Sequence, residues 1–402
     1  MAAEQRRVGR DLLVGTAAVA LGQLLLLAIA PLSRAASDGV ERSGIALLSP
    51  DSLTYLELAA DPAWLVDTPW NRLLLVAILR LGSSLGDAAT FLVVLQACAL
   101  AIASALIHRL TVRLGGPNAG LLATVVIAVN PLTAQWVRFV LSETLFFSLV
   151  LITLFAGERV FRRASRPSSV PLLLVAAALA TCLRPNGVLV LGSALTLLAL
   201  TRATPRGRAA LLTGLIWLGV LAGLALGLTA AGQPTERSLT AQIHSGIVIE
   251  GTDDVIVAIT MPPADDPADT SLAAGLRYVA AEPLAAARLA AVRIVAETIQ
   301  VRPHYPVLIN IGIGAAMAVF ALAVMTGLRT RAASALIRST VLIGSPILLL
   351  VGATFATPEG RYGWGALVLG APLAGLGMAR TLRAVGSRWF DGQSVDGPGT
   401  AR

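Results

Sequence analysis

Apolar residues come in long runs along this chain, parted by short clusters of arginine. The runs fall near 11–31, 88–108, 117–136, 138–158, 170–183, 187–201, 208–231, 307–328, 335–355 and 361–380. A hydrocarbon core about 30 Å thick takes about 20 helical residues, and backbone groups in lipid must be satisfied within the segment, so such runs predict transmembrane helices. The stretch 170–201 is too long for one crossing and is interrupted by Arg184-Pro185-Asn186-Gly187, a turn signal. Arginine clusters flank it on both sides, so it crosses an even number of times, as a hairpin of two short helices with Arg184 at its tip. The fold class predicted is an all-α polytopic membrane protein with about ten transmembrane helices.

Two stretches lie outside this pattern. Residues 32–87 form a first outer loop with two amphipathic pieces, Ser52 to Leu65 and Trp70 to Leu85, whose Trp64 and Trp70 suit an interfacial belt. Residues 232–306 form a long polar outer loop with an acidic, Pro-rich centre, Met261 to Asp269, and then a helical stretch from Leu272 to Gln300. The organisation expected is therefore a transmembrane module over 1–231, the outer loop 232–306, C-terminal transmembrane helices over 307–388 and a disordered cytoplasmic tail over 389–402. The first run follows Arg6, Arg7 and Arg10 and ends near Ala35-Ala36-Ser37, which admits a cleaved signal peptide; its length favours an uncleaved anchor.

Composition agrees with the runs. Of the 402 residues 56% are hydrophobic and 13% charged, against about 25% charged in soluble domains. The net charge of +8 would prompt a search for a nucleic-acid surface in a soluble protein. Here every basic residue is an arginine, and most sit between apolar runs instead of forming one basic face, so nucleic acid is not the expected partner. Short arginine-rich loops stay in the cytoplasm. With the N-terminus inside, 19 arginines and five acids are cytoplasmic, 12 arginines and 18 acids lie outside, and both termini are cytoplasmic. The two cysteines, Cys98 and Cys182, lie in apolar stretches with no disulfide or metal-ligand spacing.

This topology brings several ionisable groups to the outer face, where such groups are functional candidates. Asp51 lies in the first outer loop, Arg138 and Glu143 at the outer end of the fourth run, Arg184 at the hairpin tip, and Glu359, Arg361 and Tyr362 at the start of the last run. Each has a structural reading beside the chemical one. Asp51 or Ser52 can cap the following helix, and Asp51 can equally be a general base. Glu143, some five residues inside an apolar run, can pair with Arg138 or Arg184. Arg184 can snorkel to the interface or bind a phosphate bidentately. Glu359, Arg361 and Tyr362 can anchor the turn or meet a lipid phosphate. Nothing comparable gathers on the cytoplasmic face, where the charges are loop arginines and His108 reads as an interfacial residue. His244 and His304 lack metal spacing, and Tyr278 and Tyr305 are better placed for loop packing than for an acceptor groove. There is no Gly-rich phosphate loop with Lys-Ser/Thr, no zincin motif and no Gly-x-Ser-x-Gly elbow.

Pro50-Asp51-Ser52-x-x-Tyr55-Leu56, Ser142-Glu143-Thr144-Leu145-Phe146, Leu183-Arg184-Pro185-x-Gly187 and Glu359-x-Arg361-Tyr362 occur in this order on the outer face. Together they resemble the GT-C superfamily of membrane glycosyltransferases. The likeness is to the bacterial branch that uses polyprenyl-phosphate sugars, related to protein mannosyltransferases and lipid A aminoarabinose transferases. It covers the chain to about residue 231 and the final turn. It implies a helical bundle in the bacterial inner membrane whose first outer loop holds two juxtamembrane helices and, near its start, the catalytic acid, matching Asp51. It also implies an arginine-lined cavity for the lipid phosphate, with Arg184 and Arg361 the candidates and Arg138 a third. Tyr55, Glu143, Glu359 and Tyr362 would line the substrate. Many members carry an Asp-Glu pair where this chain has Asp51-Ser52, and the lysines common in relatives are absent.

The reaction expected is inverting transfer of a sugar from a polyprenyl-phosphate donor to the hydroxyl of a glycan, glycolipid or protein at the periplasmic face, with Asp51 as base. No cofactor or metal is called for, and the partners are donor, acceptor and membrane lipids. The alternative from another class is a non-enzymatic transporter or flippase of lipid-linked glycans. A transporter should also place ionisable groups at the midplane, and such groups are scarce here.

Overall fold

The structure, a computed structural model, describes residues 2–29, 41–162, 168–202, 206–230, 239–249, 257–266, 268–269, 271–299, 306–353 and 364–391. It is an α-helical bundle with two short β-hairpins. Among the described residues five helical segments are long and apolar enough to cross a membrane: Glu4–Leu27, Ala88–Gly115, Glu143–Phe161, Val307–Leu328 and Arg331–Leu350. Shorter apolar helices accompany them.

Helix α1 (Ala2–Ile29) is followed by a hairpin of β1 (Glu41–Ser43) and β2 (Ala46–Leu48), then by α2 (Pro50–Ala60), α3 (Trp64–Asp67) and α4 (Leu73–Ser84). Helices α2 to α4 cover most of the two stretches expected to be amphipathic, Ser52 to Leu65 and Trp70 to Leu85. Buried Leu75, Val76 and Leu79 of α4 form a small core with Ala59, Leu92 and Leu183. Arg80 ties the loop shut by donating to the carbonyls of Ala59 at 3.1 Å and Asp61 at 2.9 Å, while its guanidinium lies 5.8 Å from the Trp64 ring centroid.

Helix α5 (Ala88–Gly115) runs antiparallel to α1. Asp11 faces His108, and a Cβ on Gly15 would strike the Ala101 carbonyl. Such small residues let helix backbones meet closely in lipid.

The 117–136 run is not one helix. α6 (Pro117–Ala128) stops before Asn130-Pro131 and is followed by α7 (Pro131–Ala134) and a 3-10 turn, Gln135–Arg138. Pro131 lacks an N–H and disfavours a helical residue before it. The Thr133 hydroxyl closes the break by donating to the carbonyls of Ile127 at 2.5 Å and Asn130 at 2.9 Å. Twelve helical residues span about 18 Å, and α6 packs between α5 and the last helix instead of crossing alone.

Helix α8 (Glu143–Phe161) begins later than the apolar run, because Val140 N–H donates to the Leu47 carbonyl at 3.1 Å. The expected hairpin is α9 (Ser169–Leu183) and α10 (Gly187–Arg202), turned at Arg184 to Asn186. Gly187 packs so closely on Ala180 of α9 that no Cβ would fit. α11 (Arg206–Ala230) follows.

A small lobe then comprises α12 (Leu239–His244), β3 (Ile247–Ile249), β4 (Val257–Ala258), α13 (Leu272–Ala281) and α14 (Pro283–Ile299). The predicted stretch from Leu272 is thus two helices, split at Glu282-Pro283. Tyr278 is buried and donates to the Pro262 carbonyl at 2.8 Å, so it packs the loop. Arg293, fully buried, is the lobe's hub and donates to the carbonyls of Ile247 and Gln242, both at 2.7 Å. Desolvation pushes its guanidinium down to about 10, so it stays charged at neutral pH. Arg293→Met takes the guanidinium donor from both carbonyls, leaving that of Gln242 only the Ser245 hydroxyl at 3.2 Å, and each lost bond to a charged donor costs about 1–3 kcal/mol. The expected result is faster amide hydrogen exchange in α12 and β3 with the bundle unchanged.

The bundle is completed by α15 (Val307–Leu328), α16 (Ser334–Ala353) and α17 (Trp364–Asp391). α14 packs on the end of α16, where Gly352 meets Ala290 and Ile294. Gly377 of α17 lies so close to the Ala323 carbonyl of α15 that a Cβ could not fit. The ends sort cleanly. The N-termini of α1 and α16 and the C-termini of α5 and α8 share one end, through Arg109 with Glu4, Arg113 with Glu158 and Arg162 with the Ala332 carbonyl. The start of α2 and the α9–α10 tip share the other, through the pair of Glu143 with Arg184 beside Tyr55.

Candidate active site

At the start of α2 the capping is done by Ser49. Its hydroxyl accepts from Ser52 N–H at 3.3 Å, and Ser52 Oγ accepts from Ser49 N–H at 3.0 Å, a reciprocal box behind Pro50. Ser52 therefore takes part in the cap and Asp51 does not. Asp51 stands exposed in the first helical turn. Tyr55, one turn further on, is half-buried on the same side of the helix.

The electrostatics at Tyr55 reveal its company. Burial, the largest influence, pushes the phenol above its ordinary value; Arg72 and Arg184 pull it down, and Glu143 and Asp51 push it up. Four charged groups from α2, the start of α4, α8 and the hairpin tip thus act on one phenol. Arg72 is the nearest shown, its guanidinium 5.4 Å from the Tyr55 ring centroid.

A phenol raised on folding contributes stability that is fully present below the unfolded value of about 10 and lost as pH rises through the folded value. The wild-type melting temperature is expected to fall more steeply above pH 10 than that of Tyr55→Phe. Tyrosinate absorbance followed through the same titration checks it.

Glu143 opens α8 as its first residue, not five residues inside a helix. Its Oε1 pairs with Arg184 Nη1 at 2.8 Å, with the two side chains only 4% and 15% exposed. Glu143 Oε2, Thr144 Oγ1, Asn186 Oδ1 and Asn71 Oδ1 are buried without hydrogen-bond partners. These orphaned atoms adjoin the ion pair and Arg72 in sequence, and give the region polar capacity that the protein itself does not use.

Arg138 is held elsewhere: its Nε donates to the Ile45 carbonyl at 3.1 Å, clamping the β1–β2 hairpin. Glu359, Arg361 and Tyr362, like His304 and Tyr305, lie outside the described residues. Among the described residues no group of three or more His, Cys, Asp or Glu could hold a metal ion.

Arg72 is the residue that the sequence pattern hid. Between Asn71 and the apolar Leu73 to Val76 it looks like one polar position of an amphipathic helix. The available signal was a lone arginine entering an apolar segment next to the catalytic candidate's loop. At the opposite end the charges are more than loop arginines. Glu158 is fully buried, pairing with Arg113 and, at 2.5 Å, with Arg162, and His108 is 6% exposed and meets Asp11 at 3.2 Å, so it is not a plain interfacial residue.

Residues 68–230 match the family model described as dolichyl-phosphate-mannose-protein mannosyltransferase, a GT-C family. No curated protein and no solved structure matches the chain. The matched segment carries Arg72, Arg138, Glu143 and Arg184, while Asp51 and Tyr55 precede it.

Proposed function

We propose that the chain is an inverting glycosyltransferase that moves a sugar from a polyprenyl-phosphate donor to an acceptor hydroxyl on a glycan, glycolipid or protein. The observation that carries this is the Tyr55 cluster: an exposed carboxylate, Asp51, shares one electrostatic neighbourhood with the cations Arg72 and Arg184 in a chain matching a mannosyltransferase family. Asp51 takes the proton of the acceptor hydroxyl as its oxygen attacks the anomeric carbon. The bond from that carbon to the phosphate oxygen breaks, and the polyprenyl phosphate leaves. Arg184 and Arg72, with Arg361, stabilise the charge growing on the leaving oxygen; Arg138, engaged with the Ile45 carbonyl, is the weaker phosphate candidate. Tyr55, Glu143, Glu359 and Tyr362 line the substrate.

In this reading about ten helices cross the bacterial inner membrane, both termini are cytoplasmic and the site opens to the periplasm. A lipid-phosphate donor is already activated, so the reaction calls on no cofactor. The test is the purified full chain with radiolabelled polyprenyl-phosphate mannose or pentose and a panel of acceptor glycans. Labelled product with inverted anomeric configuration is expected. Movement of lipid-linked glycan across a liposome bilayer without bond cleavage would instead make the chain a transporter.

A further inference from the structure

At the end of the bundle remote from Asp51, the first turns of α1 and the last turns of α5 and α8 enclose a cavity of about 510 Å³ lined by Arg7, Arg10, Asp11, Arg109, Arg113 and Arg159 over an apolar wall. Five guanidiniums gathered around one carboxylate repel one another, so the arrangement has to be held in place. Arg109 is held by Glu4 at 3.4 Å, Arg113 by Glu158, and Arg159 by stacking 5.3 Å from the Phe155 ring centroid. Arg7 and Arg10 make no ion pair among the described residues and stand exposed at the rim.

Asp11 is the unusual member. It is 5% exposed, its Oδ1 meets His108 Nδ1 at 3.2 Å, and its Oδ2 is buried with no hydrogen-bond partner. A buried acceptor without a donor is costly to leave unsatisfied, and a ligand hydroxyl supplies such a donor. Guanidiniums in turn match phosphate oxygens two at a time. We propose that this cavity binds a hydroxyl-bearing phosphate ester, with the arginines on the phosphate and Asp11 Oδ2 accepting from the hydroxyl. Two sources present that chemistry: the glycerol-phosphate head group of an anionic lipid and a soluble polyol phosphate.

The experiment uses the delipidated full chain in detergent and three probes: dioctanoyl phosphatidylglycerol, dioctanoyl phosphatidylmethanol, which has the same charge and no hydroxyl, and glycerol 3-phosphate. Binding is read by native mass spectrometry and calorimetry. At least one hydroxyl-bearing probe binds, and its affinity falls about tenfold or more in the double variant Arg7→Ala/Arg10→Ala, because hydrogen bonds to charged groups are the strong ones. Both arginines are exposed, so that variant keeps its fold. Phosphatidylglycerol binds about tenfold tighter than phosphatidylmethanol, and Asp11→Asn narrows this gap. Binding of the lipid but not of glycerol 3-phosphate assigns the site to the membrane, and comparable binding of both assigns it to a soluble ester. Equal affinity for the two lipids, affinity untouched by the double variant, or no binding of either hydroxyl-bearing probe would overturn the proposal.

Discussion

Asp51→Asn lowers the rate of sugar transfer about 100- to 10,000-fold, the range a positioned base contributes, while donor binding and fold survive. The fold survives because Ser49 and Ser52 make the reciprocal cap of α2 without Asp51. The substitution keeps the side-chain shape, and the negative charge it removes from the first turn of α2 contributes about 0.3–1 kcal/mol through the helix dipole. Donor binding survives because the cations proposed to hold the phosphate are on other elements. Initial rates with radiolabelled donor, set beside donor binding and melting temperature on the same preparation, separate the three effects. An Asp51→Asn variant that transfers at the wild-type rate removes Asp51 as the base, and one that fails only because it unfolds contradicts the capping geometry.

The one-dimensional pattern was informative wherever a single element carries the signal. The hairpin tip at Arg184 follows from run length and a Pro-Asn-Gly turn, and a helix beside Asp51 follows from the polar residues there, although the N-cap is Ser49 and neither Asp51 nor Ser52. It was uninformative wherever the outcome depends on which elements meet. Glu143 had two possible arginine partners, Arg138 close by in sequence and Arg184 at the distant hairpin tip. The choice of Arg184 follows because Arg138 is drawn to the Ile45 carbonyl by the hairpin. Arg72 joins Tyr55 only because α4 folds back on α2. Nothing in the sequence around Glu158 and Asp11 marks them as buried, yet both are buried by antiparallel or neighbouring helices that bring arginine or histidine to them. The Asn130-Pro131 break was present in the sequence inside an otherwise convincing run. It lost to hydropathy averaging, although proline chemistry decides the local backbone.

Arg184→Ala carries the second large effect, and it has two components to be pulled apart. The pair with Glu143 is nearly dry, at 2.8 Å with 15% and 4% of the side chains exposed. Removing the arginine strands a buried carboxylate, which costs about 3–5 kcal/mol, so the melting temperature drops and activity is lost with it. Replacing both partners by apolar residues of similar size, Arg184→Met with Glu143→Leu, restores most of the stability, because a buried ion pair often contributes little over a well-packed hydrophobic pair. If Arg184 also stabilises the leaving phosphate, the double variant folds like wild type but transfers about 100- to 1,000-fold more slowly, the loss seen when one donor to a developing oxyanion is removed. Glu143→Gln is the complementary case. It keeps an oxygen for Arg184 and leaves the guanidinium charge available to the donor, so transfer is retained better than in either Arg184 variant. Wild-type turnover in the stable double variant would make the pair purely structural and would shift the phosphate to Arg72, whose guanidinium over the Tyr55 ring makes no ion pair among the described residues.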